Sequence, residues 1–182
     1  MFIEDGKGRG YNAEVDERNY LHTYTVLETV EENRNEHGQA YRIILENLVP
    51  TGNGACICYI QNSESEILSL SNIKVRSTID ELFELKLNDV GTPVGGTVTT
   101  PINLNAGAGT TLSATVQKGS GITGLSGGSV ADLIFVKGGE NTQSYEWESH
   151  IMLPTNKVAT LYTAATGSPR LDITIACHKY FE

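Results

Sequence analysis

The feature that most constrains this chain is a period of two. Short apolar runs alternate with polar residues and stop every ~8–12 residues at Gly, Pro, Asn or Asp, as strands joined by turns do. Residues 81–87 (ELFELKL) show it most cleanly, with Phe83, Leu85 and Leu87 on one face and Glu84 and Lys86 on the other. A helix capped by Asp80 competes there, but the alternation favours a strand. Residues 40–49 (AYRIILENLV) stop at Pro50 and the turn TGNG, and 55–60 (ACICYI) runs straight on, which predicts a hairpin. Further strands are expected at 20–28, 67–75, 97–104, 112–116, 131–136, 144–153, 158–163 and 171–181. Residues 31–38 (EENRNEHG) read as a charged turn, 90–96 as loop or edge, and 118–128 (KGSGITGLSGG) as a long glycine- and serine-rich excursion. About ten strands and no convincing amphipathic helix imply an all-β chain: an antiparallel β-sandwich, jelly-roll-like. Residues 1–19 hold few apolar anchors and are expected to be an extended N-terminal arm. Residues 20–182 would form the sandwich.

Composition narrows the function. The 182 residues carry 22 acids against 13 bases, a net charge of −9, so no cationic footprint for nucleic acid is present. No apolar run reaches membrane-span length, and no signal-peptide layout is seen. Three cysteines, Cys56, Cys58 and Cys177, are too few and too odd in number for a disulfide framework. They read as buried reduced thiols of a chain made in a reducing cytosol, with Cys56 and Cys58 on one strand face.

Catalytic constellations are hard to assemble. The run Asp5-Gly6-Lys7-Gly8-Arg9-Gly10 lacks the preceding strand of a dinucleotide fingerprint and the Gly-Lys-Ser/Thr ending of a P-loop. His22, His37, His150 and His178 have no ligand spacing. No Gly-x-Ser-x-Gly elbow occurs. Glu146 and Glu148 share a predicted face opposite Tyr145, Trp147, Ser149 and Ile151, and the bland reading of that face is solvated. No enzyme, cofactor or metal is expected. His178 is expected at an edge or interface.

Residues 5–22 carry a sharper signal. Asp5-Gly6-x-Gly8-x-Gly10 is followed by Ala13-x-Val15-Asp16-x-x-Asn19-x-Leu21-His22. This resembles the opening of small virion structural proteins of tailed bacteriophages, in which a glycine-rich arm runs into a β-sandwich body. The Leu153-Pro154-Thr155-Asn156 segment, and Tyr180-Phe181 after His178-Lys179, are similar too. The chain departs from that pattern at Thr23-Tyr24, where a small aliphatic pair is usual. The resemblance implies a capsid decoration (cement) protein or a minor head or tail component, made in the host cytoplasm and located in the virion. Its partners would be the major capsid protein or another virion protein, and copies of itself, as a trimer. The interface candidates are then Asp5, Gly6, Gly8, Arg9, Gly10 and Tyr11 in the arm, and Trp147, His178, Tyr180 and Phe181 in the body. The competing readings are a tail-fibre or glycan-binding module, which an exposed Trp147, Tyr145 or Tyr162 would favour, and a cupin-like or glycosidase-like enzyme.

Overall fold

A computed structural model describes residues 2–4, 12–15, 21–22, 30–139, 141–164 and 169–180. They fall into two compact units, Met1–Val30 and Glu31–Glu182. In the first, β1 (Phe2–Glu4), β2 (Asn12–Val15) and β3 (Leu21–His22) form a three-stranded antiparallel sheet, with Phe2 opposite Glu14 and Glu14 opposite His22. Leu21 and His22, expected to begin the sandwich, thus pair with residues assigned to the arm. Asp5, Gly6, Gly8, Arg9, Gly10, Tyr11 and Phe181 lie outside the described residues.

The second unit begins in a helix where a charged turn was expected. Helix α1 (Val30–Glu36) is seven residues long and carries Arg34 in its last turn, where a cation meets the negative end of the dipole. The amides of Gly38 and Gln39 close that turn on the carbonyls of Asn35 and Arg34. The strands that follow are β4 (Ala40–Leu48), β5 (Cys56–Asn62), β6 (Ile67–Ser77), β7 (Glu81–Leu87), β8 (Val90–Val94), β9 (Thr97–Val98), β10 (Ile102–Asn103), β11 (Ala114–Ser126), β12 (Ser129–Val136), β13 (Gln143–Leu153), β14 (Val158–Thr163) and β15 (Leu171–Tyr180).

These strands make two antiparallel sheets. One has the order β10-β4-β15-β6-β13, the other β12-β7-β14-β5-β11-β8, with β9 also on β11. Setting aside β8 to β11, the orders β4-β15-β6-β13 and β5-β14-β7-β12 are those of a jelly roll, two Greek keys wound together. The core lies between the sheets. It is built from Ile43, Leu45, Leu70, Ile73, Ile173 and Ile175 on one side and Phe83, Leu85, Ile134 and Leu161 on the other. Each such side chain contributes about 1.5–3 kcal/mol by leaving water.

Several local expectations change. The predicted hairpin at 40–60 is a crossover, because β4 pairs with β10 and β15 whereas β5 pairs with β11 and β14. The single strand expected at 97–104 splits into β9 and β10, which lie in different sheets, with Pro101 between them. Proline has no N–H to continue a ladder. The final strand, in which His178 was expected at an edge or interface, is central and is flanked by β4 and β6.

The glycine-rich excursion is also strand. β11 runs the length of β5, and its glycines are absorbed in a register shift between Lys118 and Ile122. Its far end pairs with β8, the other segment expected to be loop, at Thr123–Val94 and Leu125–Gly91. Gly91 (φ 121°) and Gly124 (φ 80°) make that pairing possible. A Cβ on Gly91 would run into the Gly124 carbonyl oxygen, and one on Gly124 into that of Thr92. Gly91→Ala is therefore expected to cost about 2 kcal/mol and to release β8 from β11. Amide exchange at Thr123, Leu125 and Ser126 reads this directly, and unchanged protection there would contradict it.

Candidate functional site

Two regions of the second unit combine exposure with unusual chemistry: the edges of the seven-stranded sheet, and the side of the sandwich where the edge strands β12 and β13 face each other.

At the first edge, β12 buries Ile134 and Val136 but leaves Val130, Leu133 and Phe135 exposed, the last two at 54% and 66%. The register sets these three opposite Lys86, Glu84 and Leu82, so they line the outer face of the sheet. A shift between Val130 and Asp132 keeps Val130 on that face. At the opposite edge Val90, Val94 and Val98 are exposed on β8 and β9. Apolar residues on a sheet edge are a ready surface for association.

On the β12/β13 side, β13 pairs with β6 in register to Glu146–Asn72 and resumes at Ile151–Leu70. Residues 147–150 therefore bulge, and His150 takes a left-handed φ of 49° that a non-glycine residue adopts only under constraint. The bulge tucks Trp147 into the core, 7% exposed, with its indole N–H donated to Asp132 Oδ2 at 2.8 Å. Asp132 Oδ1 accepts the Leu133 amide at 2.8 Å. The Tyr145 ring, 40% exposed, stands edge-on to Trp147 with centroids 6.3 Å apart. Together with Glu146 and His150 these groups line an open recess of about 500 Å³.

Behind the recess, His150 Nδ1 and the Ser69 hydroxyl are 3.0 Å apart, and the His150 and His178 rings meet edge to face at 5.2 Å. His178, expected at an edge, is 4% exposed in the central strand. Burial pushes its imidazole down to about 4, helped by the charges of His150 and Arg34. Arg34 also donates to the Lys179 carbonyl at 2.8 Å and stands 5.3 Å from the centroid of the Tyr180 ring. Of the interface candidates in the described residues, Trp147 and His178 are thus buried, whereas Tyr180 is exposed.

Asp89 is buried and accepts from Thr160 Oγ1 at 2.5 Å, Tyr162 O–H at 2.9 Å and the Gly128 amide at 2.7 Å. Lys86 Nζ sits 4.2 Å from the centroid of the Tyr162 ring. The cysteines are all buried, but Cys58 belongs to the main core whereas Cys56 packs with Tyr59, Ile122 and Val158. They do not share a face, because the ladder between β5 and β14 shifts register at Ile57. Burial raises the Cys56 and Cys177 thiols to about 12, and they stay protonated as small apolar groups.

Among the described residues no three His, Cys, Asp or Glu side chains gather as a metal site would need, and no helix is long and apolar enough to cross a membrane. Sequence reasoning missed Leu133 and Phe135 because ADLIFV is apolar at successive positions and shows no alternation that would mark one face as open. It missed Asp132 because its partner Trp147 is on another strand. No protein family, curated protein or solved structure matches this chain.

Proposed function

We propose that this protein is a structural component of a tailed-bacteriophage virion: a decoration protein that assembles with copies of itself, as a trimer, and docks on the protein shell of the head. The observation that carries this reading is the exposed apolar surface at both edges of one sheet, Val130, Leu133 and Phe135 on β12 and Val90, Val94 and Val98 on β8 and β9. The two edges are different, so contact between the β12 edge of one copy and the β8–β9 edge of the next is heterologous, and a closed ring satisfies every edge. The resemblance of residues 5–22 to virion proteins supports the location, and the net charge of −9 favours protein over nucleic acid as the partner.

The test is sedimentation at micromolar concentration, alone and with purified shell particles. A trimer that co-sediments with the particles is expected. Phe135→Asp with Leu133→Asp places charge on already exposed positions, so the fold should persist while the species falls to the monomer mass of 19.7 kDa. A wild-type chain that stays monomeric and ignores the shell would overturn the proposal.

A further inference from the structure

We infer that the contact between copies runs across both sheets: the β8–β9–β10 side of one copy packs against the β12–β13 side of a second copy. This contact depends on the self-assembly proposed above, not on a place in a virion, and it adds to that assembly the edges of the five-stranded sheet.

Each side of the sandwich is one surface. Val98 on β9 and Ile102 on β10 belong to different sheets, but the short chain between them keeps them within about 14 Å of each other. On the far side the Trp147 indole on β13 reaches Asp132 on β12 at 2.8 Å. Of thirteen large apolar side chains exposed among the described residues, ten lie on these two sides. They are the six named above and four at the edges of the five-stranded sheet: Ile102 and Leu104 at β10, Tyr145 and Met152 on β13. Leu104 follows β10 directly, and its amide donates to the Ala40 carbonyl at 3.0 Å, beside the pairing of β10 with β4.

Charge selects the occupant. Residues 90–117, which include all of β8, β9 and β10, contain no Asp, Glu, Lys, Arg or His, in a chain that is 19% charged. An edge strand that faces water is ordinarily blunted by charge, and these carry none. A charged partner would bury its own charges there without a counter-charge. Two copies at −9 each repel, so they meet best where no like charges are set against each other. β12 is the matching surface, because its one charged residue, Asp132, is already engaged by the Trp147 indole and the Leu133 amide. On β13 the register turns Glu146 to the face opposite Tyr145.

Area decides between one sheet and two. An eight-residue edge such as β12 is about 27 Å long and about 10 Å deep, roughly 300 Å². Specific interfaces begin at about 600 Å² per partner, which the two edges of a side supply and one edge does not.

The test is sedimentation of the full chain at micromolar concentration, without shell particles. Ile102→Asp with Leu104→Asp, and separately Met152→Asp, change exposed positions, so the melting temperature should stay that of the wild type. Both variants should nonetheless run at the monomer mass, where the wild type is a trimer. The Ile102→Asp/Leu104→Asp chain mixed in equal amount with the Leu133→Asp/Phe135→Asp chain should give a species of twice the monomer mass and nothing larger, because each brings the side the other has lost. A trimer from either five-stranded-sheet variant, alongside a monomeric Leu133→Asp/Phe135→Asp chain, would overturn this inference and leave the narrower contact standing. A mixture that stays monomeric would show that the two sides do not meet, and would overturn it as well. A wild-type chain that is itself monomeric would remove both.

Discussion

Replacing Asp89 with alanine should lower the melting temperature by roughly 10 °C. The carboxylate lies just after β7 and accepts from two residues of β14, Thr160 and Tyr162, and from the Gly128 amide between β11 and β12. It therefore reinforces, by side chain, the ladders that β7 makes with β14 and β12 at that end of the sheet. Removing it takes the acceptor from a buried hydroxyl, Thr160, and from the half-buried Tyr162 hydroxyl and Gly128 amide, at about 1–3 kcal/mol for a group left unsatisfied, and about 3–4 kcal/mol in total once partial hydration is allowed. For a chain of this size each kcal/mol moves the midpoint by about 2–4 °C. Asp89→Asn keeps the shape and one acceptor, and should fall between wild type and alanine. An alanine variant melting within about 3 °C of wild type would mean that the network is dispensable.

Acid should destabilise the protein through His178. Its imidazole is pushed down to about 4 in the fold, by burial first and then by the neighbouring His150 and Arg34. In the unfolded chain it titrates near 6.5. Above that pH both states hold it neutral and it contributes no pH dependence. Below it the unfolded chain takes up a proton that the fold refuses, so stability falls as the pH drops from about 6.5 to about 4, by on the order of 3 kcal/mol. The groups that face the ring are His150 on β13, itself against Ser69 on β6, and Arg34 on α1. Urea midpoints of wild type and His178→Gln at pH 7.5, 5.5 and 4.5 isolate the effect from the carboxylates common to both. The wild type should lose more than the variant over that range. Equal losses would show that His178 takes its proton in the fold as readily as in the unfolded chain.

Much of the architecture was legible because its cause is local. In β7 and β15 every second residue is apolar, and the structure buries Phe83 and Leu85, and Leu171, Ile173 and Ile175, as that pattern requires. What stayed hidden has a common origin. The segment at 118–128 looked like loop because glycine disfavours strand interiors, yet here glycines let a bulged β11 approach β8 closely. The run at 131–136 was legible as a strand but not as an edge, because an edge strand and a central one of the same composition are indistinguishable along the chain. The recess joins Asp132 to Trp147 across two sheets, and the imidazole pair joins residues of β13 and β15.

The sequence by itself determined an all-β chain with two apolar layers, since a period of two needs only each residue's nearest neighbours to be read. Only the tertiary structure decided which strands are edges, which apolar faces remain open and which polar groups converge. Those outcomes depend on pairing partners such as Tyr162 for Asp89, 73 residues away. Hydrogen bonds and burial between strands so far apart leave no periodic trace in the residues that make them.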